Sequence, residues 1–402
     1  MPGGDDLHWL LRAPLGFFLP AGLVGRLAGF GMAQAALWAW AGIGFGLALA
    51  LLASLARAAA PARPGRAFAV MAGVFALFHG LDILPNAWLD WQAGIGALGS
   101  WGRGGEWWSR MFQYTGHVTG LLWAPNHALP AWLVTLLLLR HWQAPGYARG
   151  VALPLAACAF WSPVGAAGTA LLALAALLRQ APGLQAFRRA ALAPGNLLAA
   201  GFAVPICLYL VAGAEAVPHG ALLSAHPAAQ ALGTWALFLA VEVLCWAVAA
   251  AALVRGWLFG AAVAMLCLLP AYVFGPGNEM TSRGGLAPLT VLAVVVATAL
   301  LVPALGRAQR LGRAGLLACA VLALVGSAME GSLLVTKSPW PASRECSVPE
   351  AARQSVFRGT TDWSHYLAPW PEPLLKGWMR RPVLRPVPPP GGEPNCWPNG
   401  GV

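Results

Sequence analysis

Twelve arginines stand alone in one set of connections between apolar segments, while Asp and Glu fall either inside those segments or in the connections of the opposite side. The arginine-only set is Arg57, Arg63, Arg66, Arg140, Arg149, Arg179, Arg188, Arg189, Arg255, Arg307, Arg310 and Arg313. Short basic loops are retained on the cytoplasmic side of a membrane, so this sidedness implies both a polytopic protein and its orientation. With 58% hydrophobic and only 10% charged residues in 402, the chain lacks the charged surface of a soluble fold. Its net charge of +11 is spread over short loops, which points to lipid headgroups and away from nucleic acid.

Ten apolar segments can be drawn, at about 31–56, 67–86, 114–140, 150–163, 165–179, 196–213, 231–254, 257–275, 285–304 and 314–335. Most reach the roughly 20 residues that a helix needs to cross the hydrocarbon layer. The expected fold is all-α, a polytopic transmembrane helical bundle of about ten spans over residues 1–336. Residues 337–402 form an extracytoplasmic tail rich in Pro and Trp. The fourth and fifth segments meet at Trp161-Ser162-Pro163 and suit a hairpin that stops short of the far surface. An even number of spans returns the chain to its starting side, so the N-terminus and the tail are expected outside the inner membrane of a bacterium.

Residues 9–30 carry Pro14, Pro20, Arg12 and Arg26 among apolar positions, and suit a helix at the outer interface better than a span. The 87–113 connection interleaves five tryptophans with charges and is expected to form a juxtamembrane helix. Five of the seven cysteines fall singly in apolar runs, where Cys acts as a small hydrophobe. Cys346 and Cys396 lie outside the membrane and are free to pair.

The candidate chemistry lies on the outward side. Asp5 and Asp6, with His8 close by, are either an ordinary polar terminus or a general base at the membrane surface. His79 and Asp82 share the i, i+3 spacing of one helix face, and Asp82 is costly in apolar surroundings unless it pairs, binds a cation or faces a wet cavity. Tyr114 to His127 is the most polar stretch in any expected span. Pro125 loosens its ladder, so that Asn126 and His127 can turn inward, with His117 a hydrogen-bonded core residue or a pocket wall. Arg283, next to Glu279 at a helix start, suits either a loop salt bridge or a phosphate held by a planar guanidinium and free N–H groups. Glu242 and Glu330 read as internal pairs.

The order of an early acidic pair, then Gly80-Leu81-Asp82-Ile83-Leu84, Glu106-Trp107-Trp108, Leu122-Trp123-Ala124-Pro125-Asn126-His127, and Asn278-Glu279 with Ser282-Arg283 resembles bacterial multi-span proteins related to polyprenyl-phosphate-sugar-dependent glycosyltransferases of the GT-C fold. The resemblance covers about residues 5–305 and implies transfer of a sugar from a lipid-linked donor to the hydroxyl of a polysaccharide or lipid acceptor. An acidic residue of the first extracytoplasmic loop acts as base or positions the acceptor in such enzymes. Asp5 or Asp6 matches it, although the family pattern expects a span ahead of that position. Asp82 joins the catalytic set. His8, His79, Arg110, His117, Asn126, His127, Glu279 and Arg283 are the expected substrate contacts, and a divalent cation is the one cofactor left open. Two other readings remain at this stage: a transporter or flippase with His79, Asp82 and Glu242 along its path, and a non-catalytic scaffold within a membrane protein assembly.

Overall fold

The structure, a computed structural model, describes residues 8–11, 13–101, 104–144, 146–181, 183–336, 354, 367–370 and 396. The chain divides into two compact units. The larger, residues 14–207 and 218–331, is a helical bundle and contains every candidate residue considered below except those near the N-terminus. The smaller comprises residues 1–13, 208–217 and 332–402. Within it β1 (His8–Leu11) pairs antiparallel with β4 (Leu367–Trp370), and Cys396, fully buried, donates its backbone N–H to Gln354 at 2.9 Å. Cys396 is disulfide-bonded, while its expected partner Cys346 lies outside the described residues.

The bundle opens with α1 (Leu19–Ala28) and α2 (Phe30–Ala59), separated at Gly29, whose φ of 87° is open to glycine and strained for other residues. Next come α3 (Pro64–Ala76), α4 (Ile83–Gln92), α5 (His117–Trp123), α6 (Pro125–His141), α7 (Ala152–Trp161) and α8 (Pro163–Gln180). The short α9 (Leu184–Ala191) precedes α10 (Pro194–Val211). After β2 (His219–Ala221) and α11 (Leu222–Ala225), α12 (Ala228–Leu239) runs through a π turn at Ala240–Leu244 into α13 (Cys245–Ala251). The last bundle elements are α14 (Trp257–Leu268), β3 (Tyr272–Phe274), α15 (Glu279–Ser282), α16 (Leu286–Leu301) and α17 (Arg307–Thr336).

The core is built around α16, which packs against α3, α6, α8, α13 and α14 and is apolar on every face. A helix that is hydrophobic all round belongs in the interior of a bundle. Trp132, Trp246, Phe112 and Phe238 fill the space beside it. Helices at the periphery expose large apolar side chains instead: Trp38 is 76% exposed, Leu198 72% and Val248 70%. A soluble monomer does not carry such a surface, and hydrocarbon around these helices accounts for it. Among the described residues six helical stretches are long and apolar enough to cross a membrane: 30–59, 163–180, 194–211, 228–251, 279–301 and 307–336. The protein is therefore a mostly helical membrane protein.

Several expectations change at this level. The 67–86 segment is two helices, because α3 ends at Ala76 and residues 77–82 leave the helix, their carbonyls accepting from donors elsewhere. Phe78 O accepts from His117 N at 2.8 Å and His79 O from Trp246 Nε1 at 3.2 Å. The 114–140 segment likewise breaks at Ala124, where Pro125 starts α6. The break expected at Ser162-Pro163 is present, with the Ser162 side chain accepting from Gly165 N to cap α8. The 87–113 connection is helical only to Gln92, after which Gly94 and Gly96 turn at positive φ. Residues 9–30 give a strand and α1, and α17 starts earlier than expected, so Arg307, Arg310 and Arg313 are helical.

Candidate functional site

Residues 77–82 place His79 and Asp82 in a non-helical turn, where their side chains still meet. His79 Nδ1 lies 3.0 Å from Asp82 Oδ1, and its Nε2 lies 3.2 Å from Glu106 Oε1. All three are at least nine-tenths buried. An imidazole with a carboxylate near each nitrogen suits the cationic form. Glu106 is held further by Gly116 N at 2.7 Å and Gln113 Nε2 at 2.6 Å. Its oxygens therefore have three partners.

Two more carboxylates complete the cluster. Glu242, within the π turn, accepts from Trp108 Nε1 at 3.0 Å, and Glu330 accepts from Gly105 N at 2.8 Å. Both were expected to form internal ion pairs. Instead, no Lys or Arg pairs with Asp82, Glu106, Glu242 or Glu330 among the described residues, and N–H donors take that place. Four buried acids thus gather around one imidazole, with Glu106, Glu242 and Glu330 held by neutral N–H donors where Lys or Arg would be the usual partners. Among the described residues no three His, Cys, Asp or Glu side chains converge as a metal cage. Glycines allow this crowding: a Cβ on Gly80 would overlap Glu242 Oε2, and one on Gly116 would overlap the His79 ring.

A cavity of about 160 Å³ lies beside the cluster, with Gln113, Trp123, His127, Ser282 and Arg283 among its lining residues. Segments far apart in sequence converge there through two cross-links. Asn278, held at φ 44°, donates its side-chain N–H to Met111 O at 3.0 Å, and Thr115 Oγ1 donates to Ser282 O at 3.1 Å. The second clamps the segment bearing Gln113 to the connection bearing Arg283. Gln113 thus lines the cavity while donating to Glu106, linking the cavity to the acid cluster.

His127 is oriented by Ser162, whose Oγ lies 2.8 Å from Nδ1, and by Asn126 Nδ2, 3.1 Å from Nε2. Arg283 donates from Nη1 to Glu279 Oε2 at 2.5 Å and remains partly exposed, which fulfils the loop salt bridge and leaves the other guanidinium face for a ligand.

The other expected contacts lie elsewhere. His117 is a core residue: its Nδ1 donates to Phe75 O at 2.5 Å and its ring packs against Phe75, Phe78 and Trp132. It does not line the cavity. Arg110 sits exposed in a turn at φ 57°, also away from the cavity lining. Asp5 and Asp6 lie outside the described residues, as does the His8 side chain, although the His8 backbone belongs to β1. Sequence reasoning missed Gln113 and Ser162 as site residues, and gave Glu106 no role beyond its motif. The Glu106-Trp107-Trp108 triplet was the available signal, since Glu106 and Trp108 both enter the cluster.

Comparison with known proteins leaves the site to be read on its own chemistry: no family model, curated protein or solved structure matches the chain.

Proposed function

We propose that the protein is a membrane-embedded glycosyltransferase that moves a sugar from a polyprenyl-phosphate donor to an acceptor hydroxyl on the extracytoplasmic face. The observation that carries this reading is one small cavity walled by a guanidinium, an imidazole, a side-chain amide and an indole, placed beside the buried acid cluster. Arg283 supplies a charged donor for the phosphate oxygens, with the negative charge that develops on the departing phosphate as its natural partner. Trp123 offers an apolar face to a sugar ring. His127, held by Ser162 and Asn126, is the titratable group on the wall able to take the acceptor proton. This moves the base from Asp5 or Asp6 to His127. Asp82 and Glu106, clamped on His79, become the charged support behind Gln113 rather than groups that touch the substrate. The polyprenyl chain would lie along the apolar outside of the bundle.

The test is transfer of radiolabelled hexose from a polyprenyl-phosphate donor to membrane acceptors by the purified protein in nanodiscs. Arg283→Gln is expected to abolish transfer, and His127→Gln to lower it about a hundredfold or more, as removal of a general base does. Donor consumption that is unaffected by either change contradicts the assignment.

One observation favours a second reading, a proton-coupled carrier. Buried acids with no Lys or Arg partner among the described residues, one of them in a π turn, are what a proton relay within a bundle uses. Solute uptake into sealed vesicles driven by a pH gradient, without any transferred product, would select it.

A further inference from the structure

Neither reading uses the basic surface around α9. From Glu106 to Glu215 the chain contains no Asp or Glu, yet it carries Arg110, Arg140, Arg149, Arg179, Arg188 and Arg189. Two of these sit on α9, a helix of eight residues with one face packed inward and one left open. Ala190 is buried, and Ala186, Phe187 and Ala191 are half-buried. The open face carries Leu184, 74% exposed, then Arg188 and Arg189, then Leu192 just beyond the helix, 59% exposed. With Gln185 these residues line an open groove of about 640 Å³.

The platform under this face is fixed by Asn196. Its side-chain N–H groups donate to Ala190 O at 2.8 Å and Ala148 O at 2.9 Å, and its Oδ1 accepts from Ala152 N at 3.0 Å. One buried amide thus fastens the end of α9 to the turn that carries Arg149 and to the start of α7. Arg149, Arg188 and Arg189 are all exposed on this fastened unit, and no carboxylate pairs with any of them among the described residues.

A face exposing two leucines is poorly suited to water, and a face carrying two adjacent arginines is poorly suited to hydrocarbon. The boundary between the two accommodates both, with the leucines in the acyl layer and the guanidiniums reaching the phosphates. We propose that α9 is an interfacial helix that binds the headgroup of an anionic glycerophospholipid, with Arg188 and Arg189 on the phosphate and Leu184 and Leu192 against the acyl chains. Charge complementarity selects an anionic lipid over a zwitterionic one, and the apolar flanks select a lipid over a free anion. The assignment rests on the membrane-spanning bundle and is independent of the reaction at the Arg283 cavity.

Native mass spectrometry of the full chain, delipidated in detergent and titrated with phosphatidylglycerol or phosphatidylcholine, tests it. Phosphatidylglycerol is expected to bind in preference. Arg188→Gln with Arg189→Gln should weaken it roughly thirtyfold, the loss of two surface cations near an anionic headgroup. Arg188→Gln alone, the milder variant, should weaken it about fivefold. Arg307→Gln with Arg310→Gln, the control pair, should leave that tightest binding in place. Equal affinity for both lipids, an effect of the control pair as large as that of the α9 pair, or displacement by millimolar inorganic phosphate overturns the proposal.

Discussion

Gly80→Ala isolates the crowding that holds the acid cluster together. The added methyl would occupy the position of Glu242 Oε2, so the carboxylate must move. Moving it strains a packed interior, at about 1–3 kcal/mol. It also breaks the 3.0 Å bond from Trp108 Nε1, whose loss in a buried place costs about 1–3 kcal/mol more. The expected destabilisation is roughly 2–6 kcal/mol by the sum of those two effects. Glu242→Ala by itself forfeits the Trp108 bond but leaves space for the methyl group, so the double variant should cost little more than Glu242→Ala. Glu242→Gln keeps the volume and should not rescue Gly80→Ala. Reversible unfolding in mixed micelles titrated with SDS measures all four proteins. If the Gly80→Ala and Glu242→Ala effects add to within about 0.5 kcal/mol, the two residues do not touch and the packing argument fails.

Other outcomes follow from single contacts. Asp90 accepts from Ser100 N at 2.8 Å and Ser100 Oγ at 2.7 Å, closing the glycine-rich turn between them, so Asp90→Ala should cost about 1–3 kcal/mol and open residues 94–99 to limited proteolysis; an unchanged digestion pattern argues against it. Ser162→Ala removes the cap of α8 and the partner of His127 Nδ1, and should broaden the His127 ring signal in ¹⁵N NMR as the imidazole loses its fixed tautomer; an unchanged signal means that Ser162 only caps. The denatured chain should titrate with five thiols before reduction and seven after, five cysteines being free and Cys396 bonded; equal counts exclude the bond.

The membrane class was legible because it depends on composition and on which loops hold arginine, both local properties. His79 with Asp82 was legible for the same reason: three residues apart, they meet whether the backbone between them is helical or turned. That they sit in a turn was not legible, since the donors that Phe78 O and His79 O find lie on α5 and α13, far away in sequence. Glu242 and Glu330 illustrate the limit. Each had an acidic charge that called for a partner, and the partners were an indole and a backbone N–H from the 105–108 turn, which sequence spacing does not reveal. Arg283 could be read from Glu279 one helical turn away, whereas Gln113 reached the same cavity only through Asn278 and Thr115. Six of the ten expected segments form helices long and apolar enough to cross a membrane among the described residues, and apolar composition does not show where Pro125 or the turn at residues 77–82 interrupts two of the others.

The central claim is that the Arg283 cavity holds the phosphate of a lipid-linked sugar. Its most direct measurement is the affinity of the purified protein for polyprenyl phosphate, titrated by native mass spectrometry against Arg283→Lys and Arg283→Gln. A bidentate contact predicts tight binding by the native protein, weakening by about tenfold or more in Arg283→Lys, which keeps the charge without the planar fork, and further loss in Arg283→Gln. Equal affinity for polyprenyl phosphate in all three proteins would contradict the claim.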